Sequence, residues 1–181
     1  MALNFRPAQE RDVTQIVALV ESAYRGESSQ RGWTTEADLL DGQRTDVEEV
    51  SGLLLAPQSQ IILAFDDEVL VASAHIQMHD DGCHFGMFAV VPTLQGGGVG
   101  KALLAEGERR AAADFAATEM RMWVIWMRDS LIAFYQRRGY RLTGEREEFP
   151  YDDANFGLPK RDDLHFVVLS KSLNFVNLLT S

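Results

Sequence analysis

VVPTLQGGGVGKALL, at residues 90–104, is the stretch that decides the fold. It joins an apolar run to a glycine-rich turn and then to residues that favour a helix. Glycines let the chain turn where a Cβ atom would clash, and they let backbone N–H groups approach a phosphate at the positive end of the following helix. The stretch therefore predicts a ligand that carries phosphates.

Several phosphate-binding loops share this appearance, and their spacing distinguishes them. A Walker A loop requires a glycine where Gln95 stands and a serine or threonine where Ala102 stands, so it does not match. A dinucleotide-binding fingerprint requires a third small residue where Lys101 stands, and it should follow the first strand of a βαβ unit. The pattern that remains is Gln-x-x-Gly-x-Gly, formed by Gln95, Gly98 and Gly100 in the middle of the chain.

This pattern resembles the pyrophosphate loop of the GNAT-type N-acetyltransferases. The resemblance continues in residues 120–126 and in SLIAFYQRRGY at residues 130–140, which are similar to the family's strand, short helix and closing Tyr-x-x-x-Gly-aromatic motif. In looser form it extends from residue 3 to residue 173. In the family that tyrosine commonly protonates the departing thiolate of coenzyme A, which implies a general-acid role for Tyr135.

The resemblance implies an α+β fold with a GNAT-like mixed, mostly antiparallel central sheet flanked by helices. The sheet is expected to splay between its fourth and fifth strands, so that unpaired backbone groups at residues 88–90 take the pantetheine arm of acetyl-CoA like an added strand. Acetyl-CoA is the expected cosubstrate, and no metal is expected. Arg128 either contacts a phosphate or faces solvent. The residues expected to bind the cofactor are Phe88, Ala89, Val90, Gln95, Gly96, Gly97, Gly98, Val99, Gly100, Lys101 and Arg128.

Length and composition are consistent with one compact enzyme domain. A chain of 181 residues predicts a single domain over residues 1–181. Its one cysteine, Cys83, excludes an intrachain disulfide and a multi-cysteine metal site. With no signal peptide and no long apolar run, we expect a cytoplasmic protein that does not bind a membrane.

The net charge is −10, from 17 Lys and Arg against 27 Asp and Glu. This sign is unfavourable for a surface that binds nucleic-acid phosphate, so nucleic acid is not an expected partner. A cationic or amine acceptor would suit such a surface, although solubility alone explains an acidic balance as well. Because coenzyme A is also anionic, a local cationic cluster must oppose the overall field, and the candidates are Lys101, Arg109, Arg110 and Arg128.

Hydrophobic spacing and turn residues predict the order of helices and strands. Helical spacing is found at Val13, Ile16, Val17 and Val20 and again, after the glycine loop, at Leu103, Gly107, Ala111 and Phe115. Thr45 with Glu48 predicts a capping box for a further helix, and residues 35–38 have the same form. Strands are predicted at residues 3–6, 61–65, 69–78, 83–91, 120–127, 140–144 and 165–169.

An amine acceptor must lose a proton before it attacks, since an alkylammonium has a pKa of about 10.4. His84 is the candidate base, because it lies on the predicted strand four residues before Phe88, where histone-acetylating relatives carry a glutamate. The alternatives are a strand histidine without a catalytic role and proton transfer through water and backbone carbonyls. Metal binding by His75, His79 and His84 has no support from carboxylate–histidine spacing.

The connection after the first helix, residues 24–38, is expected to cover the acyl end of coenzyme A, as it does in the family. Tyr24 and Trp33 are the candidates for packing against the acceptor, and Glu36 is the candidate for holding its ammonium group. The later loop, residues 150–161, either closes this pocket from the other side or is a solvated connection.

These features lead to the hypothesis of an acetyl-CoA-dependent N-acetyltransferase that acts on a primary amine, with a small molecule as the acceptor. The amine attacks the thioester directly within a ternary complex. One alternative is a transferase that uses another acyl-CoA, and another is a non-catalytic acyl-CoA sensor or partner-binding module on the same fold. A homodimer, with a contribution from the apolar residues 173–179, is a further hypothesis.

Overall fold

The computed structural model describes residues 2–173 of the chain. The strands in this range are β1 (Leu3–Pro7), β2 (Leu40–Asp41), β3 (Ser59–Asp66), β4 (Val69–His79), β5 (Gly82–Val90), β6 (Glu119–Ile125), β7 (Arg141–Glu148), β8 (Leu158–Pro159) and β9 (His165–Ser172). The α-helices are α1 (Val13–Tyr24), α2 (Gly26–Ser29), α3 (Val47–Leu55), α4 (Val99–Phe115) and α5 (Asp129–Gln136). Apart from Leu173, the segment predicted to contribute to a dimer lies outside the described residues.

Within residues 2–173, seven strands form one sheet in the order β1-β3-β4-β5-β6-β9-β7, and β2 pairs with β8 separately. Neighbouring strands of the large sheet are antiparallel except for β5 and β6, which are parallel. Helices α1 and α3 pack in one hydrophobic cluster, and α4 and α5 pack in another. This arrangement confirms the predicted fold class. In the same part of the chain, no helix has the length and apolarity needed to span a bilayer.

The predicted helical stripes are confirmed on both sides of the sheet. In α1, Val13, Ile16 and Val20 are buried in one cluster with residues of β3 and β5. In α4, Gly107 lies so close to β5 that a Cβ atom there would be 3.1 Å from Cε2 of Phe85. The glycine therefore allows the middle of α4 to approach the middle of β5 closely.

The start of α3 differs from the predicted capping box. Asp46 is the N-cap, and its side chain accepts a hydrogen bond from the backbone N–H of Glu49 at 2.8 Å. Thr45 instead donates its hydroxyl to the Glu49 carboxylate. No helix begins at the second predicted capping box, residues 35–38. Thr35 instead accepts a hydrogen bond from the N–H of Ala37, beside a turn. Both predictions are wrong because the same polar residues also cap local turns.

Strand β7 is longer than the strand predicted at residues 140–144 and reaches Glu148. Every residue in it is exposed, since β7 lies at the edge of the sheet beside β9. Its register with β9 shifts between Leu142 and Arg146, around Gly144, whose φ is +89°. A strand with no buried face has no alternating hydrophobic pattern, so its length could not be predicted from polarity.

Candidate active site

Strands β5 and β6 separate and open a cleft at the centre of the sheet. Within the described chain they pair only at Cys83 and His84 of β5. Beyond this point β5 contains a bulge, where Met87 has a φ of +44° and the register with β4 shifts. A bulge bends its strand, so β5 turns away from β6. In chain order these are the fourth and fifth strands of the large sheet, and the predicted splay is confirmed.

The glycine loop follows β5 and leads directly into α4. Gly96 and Gly98 have φ values of +89° and +91°, which favour glycine, and a Cβ atom on either would meet nothing within 4 Å. A hydrogen bond from the N–H of Ala102 to the carbonyl of Gly98 closes the first turn of the helix. The N–H groups of residues 99–101 therefore have no carbonyl one turn earlier and point out of the start of α4. Such a helix start favours an anion.

The other loop residues contribute backbone groups or packing. Val99 is 2% exposed, so its side chain belongs to the core. The N–H of Gly97 is bonded to the carbonyl of Leu94 at 3.3 Å. A Cβ atom on Gly100 would lie 3.1 Å from Cζ of Phe88, so this glycine lets α4 pack against β5. Only part of the glycine pattern is therefore explained by a ligand.

A cavity of about 310 Å³, named here the outer cavity, lies against the glycine loop. Gly96, Gly98 and Gly100 contribute to one wall, and Lys101 is exposed beside them. Further lining residues come from the end of β5 and from α5 and its end, and they include Phe88, Val90, Leu131, Phe134, Arg137 and Arg138. The outer cavity thus combines a helix start with cations, which suits a phosphate ligand.

Arg137 and Arg138 supply positive charge to the outer cavity, although the motif analysis did not single them out. Arg138 donates from Nη1 to the carbonyl of Phe134 at 2.6 Å, and its guanidinium carbon lies 3.4 Å from the centre of that ring. Their place in the tyrosine motif could have identified them. They follow Phe134 by three and four residues, about one turn of helix, and Phe134 also lines the cavity.

The arginines predicted to bind phosphate lie elsewhere. Arg109 and Arg110 each pair with Glu106 along α4, at 2.8 and 2.6 Å. Arg128 has a side chain that is 10% exposed, and it pairs with Glu36 at 2.8 Å in a different cavity. The structure therefore places Arg128 in the wall of the inner cavity and out of solvent, where its Nη2 also donates to the carbonyl of Thr34. Arg128 is held there by the buried carboxylate of Glu36, which is far away in sequence, so the spacing of the motif could not reveal this pairing.

The side chain of Gln95 is occupied within the protein. Its Oε1 accepts hydrogen bonds from the N–H groups of Trp33 and Thr34, at 2.8 and 3.2 Å. Its Nε2 donates to the hydroxyl of Thr34 and to the carbonyl of Val90, at 2.8 and 3.1 Å. Gln95 therefore fastens residues 33–34 to the end of β5, and its amide has no group left to offer a cofactor.

The backbone of β5 beside the cleft is less open than predicted. The hydroxyl of Tyr24 donates to the carbonyl of Phe88, and Gln95 donates to the carbonyl of Val90. Carbonyls that lose a strand partner need another donor, and here side chains supply it. The side chain of Ala89 is fully buried in the cluster with α1, so only its backbone can meet a ligand.

A second cavity of about 480 Å³, named here the inner cavity, adjoins the first. Both cavities are lined by Tyr24, Phe88 and Leu131, so they meet at this point of the cleft. The predicted site residues that line the inner cavity are Tyr24, Glu36, His84, Phe88, Arg128 and Tyr135. A ligand held at the glycine loop can therefore reach a second ligand at the junction.

Tyr135 is buried beside Phe88 and presents a free hydroxyl to the inner cavity. The two ring centroids are 6.4 Å apart, and no group in residues 2–173 forms a hydrogen bond with this hydroxyl. Burial raises the pKa of Tyr135 well above its ordinary value, and Tyr24 acts in the same direction. The hydroxyl therefore keeps its proton throughout the neutral range and is available as a donor.

His84 lies on β5, where the two strands are still paired. Its Nε2 is 2.6 Å from Oδ1 of Asp81, and its ring centroid is 4.0 Å from that of His79 and 4.2 Å from that of Trp123. Burial lowers the pKa of His84 more than the hydrogen bond to Asp81 raises it. Four residues of extended strand span about 13 Å, so His84 reaches a reaction near Phe88 only through water.

Two residues predicted to contact the acceptor have other surroundings. Glu36 is 7% exposed, and its carboxylate oxygens bind Arg25 and Arg128, both at 2.8 Å. Burial would raise the pKa of this carboxyl, but Arg128 and two further arginines lower it below its ordinary value. Trp33 lines the outer cavity rather than the inner one, on the side of the glycine loop. The carboxylate expected to hold the ammonium group is therefore already paired with two cations, and the tryptophan expected to pack against the acceptor lies beside the glycine loop.

The histidines of the inner cavity have protein partners. Nε2 of His75 lies 2.8 Å from the hydroxyl of Ser59, and His79 stacks on His84. Burial lowers the pKa of His75 to about 4, so this ring is neutral near pH 7. Among residues 2–173, no group of three or more His, Cys, Asp or Glu side chains is arranged to hold a metal ion.

A splayed sheet with a glycine loop at the start of the central helix defines the N-acetyltransferase class of fold. A model of the acetyltransferase (GNAT) family matches residues 15–140, and the chain belongs to this family. A search of curated proteins gave no match.

Solved structures share the fold at low sequence identity. An N-acetyltransferase from Staphylococcus aureus Mu50 gives a TM-score of 0.72 at 11% identity, over 96% of this chain and 99% of that chain. The ribosomal-protein-S18-alanine N-acetyltransferase from Escherichia coli gives 0.69 at 13% identity, over 96% of each chain. A spermidine N-acetyltransferase chimera from Vibrio cholerae and hSSAT gives 0.68 at 11% identity, over 100% of each chain. At such identities the likeness shows the fold and leaves the acceptor open.

Proposed function

We propose that this protein is an acetyl-CoA-dependent N-acetyltransferase that acetylates a primary amine of a small molecule. The observation that carries the proposal is the meeting of two cavities at Phe88. One adjoins the anion cradle of the glycine loop, and the other contains the free hydroxyl of Tyr135. Membership of the GNAT family supports the same class of activity. In this proposal the donor and the acceptor enter from different sides and react at the junction.

The donor occupies the outer cavity. Its diphosphate accepts hydrogen bonds from the N–H groups at the start of α4, and Lys101, Arg137 and Arg138 add opposite charge. The pantetheine arm then follows β5 into the cleft, where this strand has separated from β6. This path brings the thioester to Phe88.

The acetyl group is transferred by direct attack within a ternary complex. The amine nitrogen forms a bond to the thioester carbon, which gives a tetrahedral oxyanion, and the carbon–sulfur bond then breaks. The departing thiolate takes the proton of the Tyr135 hydroxyl. The proton that the nitrogen loses after the attack passes through solvent and returns the tyrosine to its neutral form. The earlier proton, lost when the ammonium group becomes a neutral amine, passes through water to His84. The products are an N-acetyl amide and free coenzyme A.

Protonation states determine how the two titratable residues act. Because burial raises the pKa of Tyr135, it releases its proton only as negative charge develops on the nearby sulfur. Because burial lowers the pKa of His84, this imidazole is largely neutral at pH 7 and accepts the amine proton through water. Each residue is therefore in the form that its role requires before the reaction begins.

Release of free thiol from acetyl-CoA, measured with a panel of primary amines, tests this proposal. We expect little release without an amine, and faster release with at least one amine, matched by an N-acetyl product in the mass spectrum. An acyl-CoA sensor or partner-binding module would bind coenzyme A but release no thiol with any amine. A transferase for another acyl group would release thiol faster from a different acyl-CoA than from acetyl-CoA.

A further inference from the structure

The end of the inner cavity near Tyr24 contains one carboxylate that is already neutralised. Glu36 is bound by Arg25 through one oxygen and by Arg128 through the other, both at 2.8 Å. Two cations share its single negative charge. An ammonium group at Glu36 would therefore lie beside two guanidinium groups, which is unfavourable for binding.

Arg44 lines the same cavity and acts electrostatically on Glu36, but it forms no ion pair with a carboxylate in residues 2–173. No group in residues 2–173 accepts a hydrogen bond from its guanidinium or forms an ion pair with it. Its contact is with the ring of Tyr24, whose centre lies 5.6 Å from Cζ of Arg44 and 5.7 Å from Cζ of Arg128. Arg44, Arg128 and Arg25, which lies outside the cavity lining, all act on Glu36, so positive charge exceeds negative charge around this carboxylate. The other carboxylate in the lining is Glu147, on β7.

The backbone on both sides of Arg44 is held by hydrogen bonds. The carboxylate of Glu21, on α1, accepts bonds from the N–H groups of Arg44 and Thr45. The next residue, Asp46, caps α3. Arg44 therefore extends toward the cavity from a turn that is fixed between two helices, and its position does not result from a chance surface conformation.

This positive charge is separate from the site of the donor. Neither Arg44 nor Arg128 lines the outer cavity, which has its own cations beside the glycine loop. The anion that would neutralise Arg44 is therefore part of the second ligand, the acceptor. Because the ring of Tyr24 contacts Arg44 and its hydroxyl reaches the carbonyl of Phe88, the anion site lies beside the junction where the acetyl group is transferred.

Much of the remaining wall of the inner cavity is apolar. The residues concerned come from β6, from β9 and from the segment between β7 and β9, and they are Trp123, Val124, Phe149, Phe156 and Phe166. An apolar or aromatic group of a ligand would leave water by packing against them. The cavity thus offers an anion site and an apolar wall to the same acceptor.

We infer that the acceptor is an α-amino acid with an apolar or aromatic side chain. Its carboxylate binds Arg44, with further attraction from Arg128, while its amino group meets the acetyl group at Phe88. The planar fork of arginine suits this role because it binds a carboxylate through two hydrogen bonds. The inference rests on the proposed function, since it assigns the substrate class of the same site.

Amino acid amides provide the test, because they keep the amino group and the side chain but lack the carboxylate. Thiol release from acetyl-CoA is measured with the standard amino acids, with their amides and with spermidine. We expect kcat/KM for the best free amino acid to exceed that for its amide about 10- to 100-fold, the usual effect of charge-assisted hydrogen bonds. An amide or spermidine that reacts as well as every free acid overturns the inference and leaves the proposed function standing.

Variants of Arg44 test the residue itself. Arg44→Gln should lower kcat/KM for the amino acid about 10- to 100-fold and affect its amide far less, and Arg44→Lys should restore part of the preference. Arg146→Gln removes the same charge from the exposed strand β7 and should leave both rates unchanged. An unchanged ratio of acid to amide in Arg44→Gln overturns the inference.

Calorimetry separates a failure of the inference from a failure of the proposed function. If coenzyme A binds but no amine of any kind releases thiol, the proposed function fails. Phenylalanine added to the complex with coenzyme A would still report on the anion site. We expect its binding to be weakened in Arg44→Gln and unchanged in Arg146→Gln, and equal binding to all three proteins would contradict a carboxylate site.

Discussion

The outer and inner cavities meet at Phe88, but they are built in different ways. In the outer cavity the proposed anion cradle is one continuous segment, residues 96–101, with positive φ angles at Gly96 and Gly98 and backbone N–H groups at the start of α4. The inner cavity is assembled from side chains that are far apart in sequence, such as Arg44, Arg128 and Phe166. We infer that recognition of the donor follows from local sequence, whereas recognition of the acceptor depends on tertiary structure.

Charge shows the same difference. The whole chain carries −10, which by itself favours a cationic acceptor. Around Glu36, by contrast, three guanidinium groups act on one carboxylate, and two of them, Arg44 and Arg128, line the inner cavity, so the sign of the charge at this point is the opposite. Net charge describes the average surface and long-range attraction, whereas affinity in a cavity depends on the few groups that line it. Composition and the groups around Glu36 therefore favour acceptors of opposite charge.

The largest expected effect is at the junction of the two cavities. Tyr135→Phe removes the free hydroxyl and keeps the buried ring, so we expect kcat to fall about 100- to 10,000-fold, the usual contribution of a general acid. Calorimetry should show an unchanged dissociation constant for acetyl-CoA. Tyr151→Phe is the control, because its hydroxyl bonds to Leu164 and it lines neither cavity. Full turnover in Tyr135→Phe would remove this residue from the mechanism.

Gly98→Val is expected to damage the outer cavity and leave the inner cavity intact. A branched side chain would extend into the open space where a phosphate must approach, and the φ of +91° strains it. Loss of two charge-assisted hydrogen bonds would weaken acetyl-CoA binding about 100-fold.

Gly144→Val is a matched control for this variant. Its φ is +89° and the space around it is also open, but it lies on β7 and lines neither cavity. It should therefore have a similar backbone strain and bind acetyl-CoA like the parent. Equal affinities of the two valine variants, measured by calorimetry, would show that the start of α4 does not hold the cofactor.

Gln95→Ala is expected to have a smaller effect, on the wall of the outer cavity. It removes the amide that fastens residues 33–34 to Val90, and Trp33 lines that wall. We expect acetyl-CoA affinity to fall about tenfold, and the melting temperature to fall by a few degrees because hydrogen bonds contribute about 1 kcal/mol each.

The control for Gln95→Ala is Gln43→Ala, which removes an exposed amide with a single hydrogen bond to Asp46. We expect this variant to resemble the parent in both measurements. If Gln95→Ala lowers the melting temperature but not the affinity, residues 33–34 stabilise the fold without contributing to the donor site.

The smallest expected effect is a change in pH dependence at the inner cavity. A base must be neutral to accept a proton, so activity should fall as the pH drops through the pKa of His84. Burial lowers that pKa from 6.5, which places the acid limb of the kcat/KM profile below pH 6.5. His84→Gln should remove this limb, and His165→Gln, outside both cavities, should keep it. A limb that persists in His84→Gln would assign it to another group.

The predictions from sequence succeeded where structure follows from neighbouring residues. The loop at Gly96 and Gly98 could be predicted because glycine is the residue that most easily takes a positive φ. The close approach at Gly107 followed from its place in a helical stripe. The short motif around Tyr135 placed this residue on a helix, and its catalytic role remains a prediction, as does that of His84.

The remaining features could not be predicted because they depend on contacts between distant segments. Glu36 and Arg128 are 92 residues apart in sequence, and they become partners only in the folded chain. Arg44 stands in an ordinary polar turn, and nothing in its neighbours indicates that it reaches a cavity. Trp33 was expected at the acceptor, but its backbone bond to Gln95 holds it in the wall of the outer cavity. Acceptor recognition was therefore the part of the site that sequence could not define.

The most direct test of the central claim, that the start of α4 and its glycine loop hold a diphosphate, compares two ligands. Coenzyme A carries the diphosphate, and pantetheine carries the same thiol arm without it. In calorimetry we expect saturable binding of coenzyme A at one site per chain and binding of pantetheine that is at least about 100-fold weaker. Equal affinities for the two ligands, or no heat on addition of coenzyme A, would contradict the claim.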